Sequence, residues 1–482
     1  MAKKELNSSI MSGLFWRFGE RIFAQGVSFV ISLILARLLA PNDYGVVAIL
    51  LIFIDLANVF VVSSFGVALV QKKDADQLDF SSVFYFNIAL SIIIYLVLYT
   101  CSPFIETFYA IEGLASLLRL LSLKIILSGV NSIQQAYVQK HMMFKKFFFS
   151  TLVGTLISAV VGIVMAYKGY GPLALVCQYL TNSLIDTLVL WFTVKWRPIK
   201  AFSMQRLIPL IQYGWKILVA GLLGTFYTNL RSFVIGKVYT TDDLAYYNQG
   251  QKFPQLLVTN LNTAIDSVLL PAMSQVQNNP HELKVLIRRS IRYASLLMWP
   301  LMMGLLSVSK NVVIILLTEK WLPCLPFMWL ACLQFALEPV QTANLQAIKA
   351  VGRSDIILKL ELIKKGYGIL ILLLTMKYGV FAIALGGVTQ TFVATLCNTS
   401  PNRKLLGYHY REQIHDLLPS VLMSLVMALI VLGVGLLPIA PLLLLIIQII
   451  VGIVIYTVLV YIFQRSMFIF VLDKVKQFLH RS

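Results

Sequence analysis

The stretch Gly13–Leu39, GLFWRFGERIFAQGVSFVISLILARLL, is apolar enough to cross a bilayer but carries Arg17, Glu20 and Arg21 near one end. On a helix these three side chains fall at i, i+3 and i+4 and share a face. A polar face on a membrane helix must point at other helices or at water, because lipid cannot solvate it. The stretch therefore predicts a helix that lines a path for an anionic substrate. The alternative is an ion pair that only snorkels at the cytosolic end.

The composition of the whole chain is that of a polytopic membrane protein. Hydrophobic residues make up 59% of its 482 residues, charged residues 13%, and the mean hydropathy is +0.81. Such a chain forms one helical bundle, with two lobes at most and little room for a soluble domain. The net charge of +19 does not indicate nucleic-acid binding, since the Lys and Arg residues lie in short segments between apolar runs.

Nothing in the sequence predicts catalysis, a metal or a cofactor. The five Cys residues are scattered without a CxxC pair, and the five His residues fall in predicted loops or the tail. No GxxxxGK[ST] phosphate-binding loop and no cleavable signal segment is visible. We therefore expect a protein that is not an enzyme and does not hydrolyse nucleotides.

Apolar runs of about twenty residues or more predict an all-α protein with about 14 transmembrane helices. The predicted spans are Gly13–Leu39, Tyr44–Val70, Phe80–Pro103, Leu114–Val138, Phe147–Tyr167, Pro172–Val194, Ile211–Val238, Tyr246–Met273, Ile291–Leu317, Pro326–Ala350, Ile356–Met376, Val380–Asn398, Leu417–Leu437 and Pro441–Phe463. Alternate connections and the two tails hold 25 Lys and Arg residues, against six on the opposite side. This asymmetry predicts that both termini are cytosolic.

A weak internal repeat divides the chain. Arg37 and Asp43 recur 200 residues later as Lys237 and Asp243. Two six-span repeats in one orientation are a transporter design. We expect two pseudo-symmetric six-helix lobes, residues 1–200 and 201–411, around a central cavity. Residues 412–465 would add two lipid-facing helices, and residues 466–482 a cytosolic amphipathic tail.

Charged side chains inside the predicted spans form the candidate site, because charge in a bilayer is costly unless a function needs it. The predicted substrate-binding residues are Arg17, Glu20, Arg21, Lys124, Lys216 and Arg231. The predicted ion-coupling residues are Asp55, Asp266 and Glu338. For the uncharged polar residues beside them, such as Asn131, hydrogen bonds that hold helices together are the favoured interpretation. Asp186 and Glu361 are weaker candidates, and Glu361 can pair with Lys364 or Lys365.

Three runs carry a resemblance to a known family. They are LARLLAPNDYGVVAI at 35–49, NSIQQAYVQKHMMFKKF at 131–147 and YTNLRSFVIGKVYTTDDLAYYNQGQKFPQL at 227–256. From about Ser12 to about Arg411 the chain resembles the polysaccharide transporter family, which contains the Wzx-type flippases of bacterial surface glycans. Its superfamily also holds the multidrug and toxin extrusion exporters and the peptidoglycan-precursor flippase.

The resemblance implies alternating access and a substrate of undecaprenyl-diphosphate-linked oligosaccharide, moved from the inner to the outer leaflet of the bacterial cytoplasmic membrane. It implies membrane lipids as partners, with a glycan polymerase and chain-length machinery as further ones. The family often has an acid where this chain has Arg231. An ion-coupled exporter of small molecules or cations is the alternative within the same superfamily. A membrane glycosyltransferase or glycan polymerase is the alternative among enzymes.

The chemistry of that substrate suits the charged residues. A diphosphate needs basic groups, and Arg offers a planar two-pronged contact. Arg17 and Arg21 would capture the diphosphate from the inner leaflet, with Glu20 holding their side chains in position. Arg231 would act later, and an ion gradient or the membrane potential would drive transport.

Overall fold

The computed structural model describes residues 25–62, 65–469 and 473, and their regular structure is entirely helical. The α-helices are α1 (Gln25–Leu38), α2 (Pro41–Val62), α3 (Phe65–Gln71), α4 (Gln77–Tyr109), α5 (Leu114–Lys140), α6 (Phe144–Tyr167), α7 (Pro172–Thr193), α8 (Met204–Val238), α9 (Thr241–Gln275), α10 (Pro280–Leu316), α11 (Leu325–Ala336), α12 (Glu338–Ala350), α13 (Ser354–Thr375), α14 (Val380–Leu406), α15 (Tyr410–Val434) and α16 (Pro441–Phe463). A 3₁₀-helix, Glu319–Cys324, precedes α11.

The prediction of an all-α polytopic membrane protein is confirmed. Within the described ranges, 12 helical segments are long and apolar enough to cross a membrane. The helix α1 is the described part of the first predicted span. The helix α13 is not among the 12, because it carries too many charged residues to count as apolar. Lys364 binds Glu361 on α13 at 2.5 Å, as predicted.

Several sequence predictions fall where the structure gives no description. Arg17, Glu20 and Arg21 lie outside the described residues, as does most of the tail after residue 469. Their assigned roles remain predictions.

The helices extend beyond the predicted spans. The ninth span was predicted to begin at Ile291, but α10 begins at Pro280 and runs for 37 residues. Asn279 caps it by accepting hydrogen bonds from the backbone N–H groups of His281 and Glu282. Hydropathy marks where apolar residues stop, whereas the cap determines where the helix starts.

The tenth predicted span, Pro326–Ala350, lies within one candidate membrane span, Glu319–Ala350, but its helix is broken at Leu337. The helix α11 ends at Ala336 and α12 begins at Glu338. Pro339 has no N–H to donate and its ring obstructs the preceding turn, which explains a break at this point. Glu338 thereby becomes the first residue of a helix, where the helix dipole favours its negative charge.

The chain divides into two compact units, here called unit 1 (to Ala245) and unit 2 (from Tyr246). One core of unit 1 is rich in aromatic residues, including Phe80, Phe84 and Trp196. The cores of unit 2 are richer in Met and Ala and include residues of α10, α12 and α15. Burial of these apolar side chains stabilises the packing of the helices within each unit.

The helix α15 packs into the core of unit 2, and the assignment of residues 412–465 as two added lipid-facing helices stays a prediction. Its buried residues Met427, Ala428 and Val431 belong to the core of unit 2. At its start, the fully buried carboxylate of Asp416 accepts a hydrogen bond from Arg288 at 2.7 Å and pairs with Arg292. Asp416 lies just before the predicted span, so the sequence reading missed its role.

Unit 1 has a comparable ion cluster. The fully buried carboxylate of Asp79 lies 2.7 Å from the Lys72 ammonium and 3.8 Å from Arg206. Arg206 also binds Asp76, which caps α4. These charges fasten the α3–α4 turn to the start of α8.

The internal repeat has a local structural meaning. Asp43 accepts a hydrogen bond from the backbone N–H of Ala40 at 2.9 Å, and Asp243 accepts one from Thr240 at 3.3 Å. Both acids thus reach back to the residue before their own helix, as in half of a capping box. The repeated acids therefore hold helix ends.

Candidate functional site

The polar interior of unit 1 surrounds a cavity of about 630 Å³ between α2, α5 and α8. Its lining residues are Asp55, Asn58, Val59, Val62, Ser128, Gly221, Gly224, Thr225, Thr228 and Asn229. The α8 members recur at three- and four-residue intervals and so form one helix face. Small and hydroxyl side chains on this face leave space and offer hydrogen bonds, and Asp55 is exposed toward it.

Lys124 places a basic side chain beside this cavity. Its ammonium lies 5.4 Å from the centre of the Tyr179 ring. It also interacts electrostatically with Asp55, one helix away. The attraction between these opposite charges offsets part of the cost of holding either charge inside the membrane.

Asp186 and Asn131 hold helices together. The Asn131 side-chain N–H donates to the Asp186 carboxylate at 2.7 Å, joining α5 to α7. Asn87 donates to the Ser132 hydroxyl at 3.0 Å and joins α4 to α5 in the same way. These contacts match the structural interpretation of the uncharged polar residues.

The structure separates the two predicted basic residues of α8 from the cavity lining. Lys216 is exposed and lies about 140° around the helix from Gly221. Arg231 is half-buried, two residues beyond the last lining residue, Asn229. Lys124 on α5 interacts electrostatically with a predicted acid, Asp55.

Unit 2 brings its two predicted acids onto one pair of helices, α9 and α12. The Asn262 side-chain N–H donates to the Glu338 carboxylate at 2.7 Å. Gln346 donates likewise to the Asp266 carboxylate at 2.5 Å. Glu338 and Asp266 also repel each other electrostatically. Among the described residues, neither acid forms an ion pair with Lys or Arg.

Two more oxygen atoms belong to this acidic region. The side-chain oxygens of Asn262 and Gln346 are buried and have no hydrogen-bond partner. A buried acceptor without a donor is costly unless a proton or cation satisfies it. No group of three metal-ligating side chains occurs in the part of the chain that the structure describes.

Sequence reasoning missed two parts of this arrangement. Tyr179 gave no signal, because a single Tyr in an apolar span is common. The cavity face of α8 does give a signal in the sequence, because Gly221, Gly224 and Thr228 recur with helical spacing. Neutral small residues carry less weight than charges when a span is searched for polar faces.

Comparisons with known proteins agree with this architecture. Residues 34–326 match a family model described as polysaccharide biosynthesis protein. The chain is 25% identical over 443 residues to the lipopolysaccharide biosynthesis protein WzxC of Escherichia coli (strain K12), covering 89% of each. It is 24% identical over 354 residues to the succinoglycan biosynthesis transport protein ExoT of Rhizobium meliloti (strain 1021), covering 72% of this chain and 71% of that one.

Solved structures share the fold. The lipid II flippase MurJ in an inward closed conformation aligns with a TM-score of 0.77 at 15% identity, over 94% of this chain and 99% of that chain. An inward-facing multidrug resistance MATE family transporter of the MOP superfamily aligns with a TM-score of 0.60 at 14% identity, over 78% and 95%. The family match covers more than half of the chain, and the resemblance in its sequence is thereby confirmed. The chain belongs to the polysaccharide biosynthesis protein family of Wzx-type polysaccharide flippases.

Proposed function

We propose that this protein is a flippase for undecaprenyl-diphosphate-linked oligosaccharide, which it moves from the inner to the outer leaflet of the bacterial cytoplasmic membrane. The observation that carries the proposal is the similarity to WzxC over 89% of both chains. The cavity of unit 1 supports it, because a glycan needs hydroxyl, amide and carboxylate partners within the membrane.

The diphosphate would be bound by basic side chains. Arg17 and Arg21 remain the proposed capture residues, with Glu20 holding them in position. Lys124 is proposed to contribute positive charge beside the cavity, and Arg231 to act later in the cycle. Lys216 is exposed and does not line the cavity, so the proposed diphosphate-binding set leaves it out.

The coupling ion would act in unit 2. Asp55 already faces the basic side chain of Lys124, so it has less need of a mobile cation. Asp266 and Glu338 have amide partners but no ion pair among the described residues. A proton or a metal cation that binds reversibly in this acidic region would reduce the repulsion between the two carboxylates.

The transport cycle would rock two lobes, residues 1–200 and 201–411, with both termini in the cytosol. Transport at the cytoplasmic membrane would deliver the glycan to a polymerase and its chain-length machinery. The relatives are named for biosynthesis and transport, which favours a transporter over an enzyme.

The test is complementation of flippase-deletion strains that make different known glycans, with Arg231→Ala and Arg231→Lys beside the unmodified protein. Loss of a charge-assisted contact is worth about 1.5–3 kcal/mol, so we expect Ala to lower flipping more than tenfold. Lys should restore part of it, since it lacks the planar fork.

Lys216→Ala is the matched control, because it removes a basic residue from the same helix away from the cavity. It should leave flipping close to normal. Membrane abundance is measured for each variant to separate folding from transport. Normal abundance together with normal flipping in Arg231→Ala would contradict the role given to Arg231.

A further inference from the structure

Unit 2 contains a further cavity of about 630 Å³ with both polar and apolar lining residues, at the end of α10 and beside the connection from α15 to α16. Its polar lining residues are Ser307, Ser309, Lys310, Asn311, Trp329 and Gln448. Leu306, Ile314 and Leu444 line its apolar side. The substrate and coupling residues proposed above do not line this cavity.

The polar floor of this cavity is held by fixed hydrogen bonds. The Trp329 indole N–H donates to the Ser309 hydroxyl at 2.8 Å. The Asn311 amide donates to the Gln448 side-chain oxygen at 2.7 Å, and Gln448 donates to the Val431 carbonyl at 3.0 Å. Gln448 is 2% exposed, so a polar group is built into the wall at membrane depth.

Lys310 provides the charge at this end of unit 2. Its side chain is exposed on the last turns of α10, and it forms no ion pair with the described residues. Trp329, 42% exposed, stands at the same cavity. A Lys beside a partly exposed Trp is typical of the interface where lipid headgroups lie.

An apolar groove of about 380 Å³ continues from the same Gln448 between α10 and α16. Gly304 and Gly452 deepen it, while Leu297 and Ile453 stand exposed along its sides. The two cavities together form a furrow, defined here as the Lys310 cavity and this groove. The furrow is polar and positive at one end and apolar along the rest.

The dimensions of the furrow limit its occupant. Its apolar part extends along α10 from Leu296 to Val308, about 18 Å at 1.5 Å per residue. One leaflet of the hydrocarbon core is about 15 Å deep, which is the reach of a single acyl chain. One Lys at the polar end balances one negative charge, whereas a diphosphate would require further basic groups.

We infer that the furrow binds one anionic glycerophospholipid, whose phosphate contacts Lys310 while one acyl chain lies between α10 and α16. The lipid would cover the seam by which the last helix packs on unit 2. This role is separate from transport of the glycan substrate, and it can be measured without any flipping activity.

The experiment uses the purified full chain in detergent and native mass spectrometry with phosphatidylglycerol, phosphatidylcholine or undecaprenyl phosphate as probes. We expect one phosphatidylglycerol to be retained more tightly than phosphatidylcholine and to raise the unfolding temperature. Lys310→Gln should weaken phosphatidylglycerol binding about fivefold. Lys310→Arg should retain it, and Gly304→Leu should block the groove.

Lys377→Gln is the control, since it removes an exposed Lys of unit 2 outside the furrow. If Gly304→Leu folds poorly, Ile453→Trp fills the groove from its exposed side. Unchanged phosphatidylglycerol binding in Lys310→Gln would overturn the inference. It would also be overturned if undecaprenyl phosphate occupied the furrow and phosphatidylglycerol did not compete.

Discussion

The polar interiors of unit 1 and unit 2 differ in the sign of the charge at one position. In unit 1, Asp55 faces Lys124 on α5. In unit 2, Asp266 faces Glu338, the first residue of α12. The predicted fourth and tenth spans thus place a base in one repeat and an acid in the other. Asp55 thus interacts with a basic residue, whereas Asp266 and Glu338 form no ion pair with Lys or Arg among the described residues.

The ends of the two units are alike where their interiors differ. Each holds a fully buried Asp between basic side chains, Asp79 in unit 1 and Asp416 in unit 2. These clusters fasten helix ends and do not line the cavities described above. The contrast separates charges that hold helix ends from the charges to which we assign a role in transport.

The largest expected effect concerns the two buried ion clusters. Asp416→Ala would remove the buried carboxylate that Arg288 and Arg292 share and would leave Arg288 with the more distant Glu412, at 3.8 Å. Breaking a buried pair costs about 3–5 kcal/mol, and thermal unfolding of the purified protein should report a loss of this size. Asp355→Ala, in an exposed pair with Arg353, is the control and should unfold almost as the unmodified protein does. Equal stability of the two variants would contradict the structural role of Asp416.

The next prediction separates the two interiors by transport. Glu338→Gln removes a charge that unit 2 does not balance, so flipping driven by an ion gradient should fall at least tenfold. Asp55→Asn should retain dependence on the gradient, even if its rate falls. The measurement is flipping in vesicles with the gradient imposed and then collapsed. Gradient-dependent flipping at full rate in Glu338→Gln would remove unit 2 from the coupling mechanism.

A smaller effect tests the internal pair of unit 1. Asp55→Asn and Lys124→Met should each lower stability, because each leaves one charge without its partner. The double variant should be more stable than the sum of the two losses predicts, by about 0.5–3 kcal/mol. Additive losses would mean that the two charges do not interact.

The smallest expected effect is at a helix cap outside the membrane spans. The Asp79 backbone N–H, with Arg206 nearby, holds the pKa of Asp76 below its usual range. A lowered pKa in the folded state stabilises the protein above the unfolded pKa, and this is lost as pH falls through the folded value. Asp76→Ala should cost about 1 kcal/mol near neutral pH and less in acid. A cost independent of pH would argue against the cap.

The helical class could be predicted from the sequence because only helices and closed barrels satisfy their backbone hydrogen bonds inside a bilayer. Apolar runs of about twenty residues indicate the helices. The break at Leu337 could not, since a Pro inside a predicted span does not by itself show whether the helix ends there. Pro209, Pro254 and Pro300 lie inside helices that continue past them. Tertiary packing decides which Pro breaks a helix.

The candidate site was predictable in part. Charge within a span identified Asp55, Lys124, Asp266 and Glu338, because each must find a partner. The pairing itself depends on which helix faces which, and sequence spacing on one helix cannot give that. Asp416 was missed because its charge belongs to a predicted loop, although α15 starts before it and buries it.

Movement of a lipid-linked oligosaccharide between leaflets is tested most directly with the purified protein reconstituted in vesicles. The vesicles hold labelled undecaprenyl-diphosphate oligosaccharide, and access of an external quencher or glycosidase reports its translocation. We expect translocation well above that in protein-free vesicles, reduced more than tenfold by Arg231→Ala and not by Lys216→Ala. Translocation no faster than in protein-free vesicles, with glycan transfer detected in its place, would contradict it.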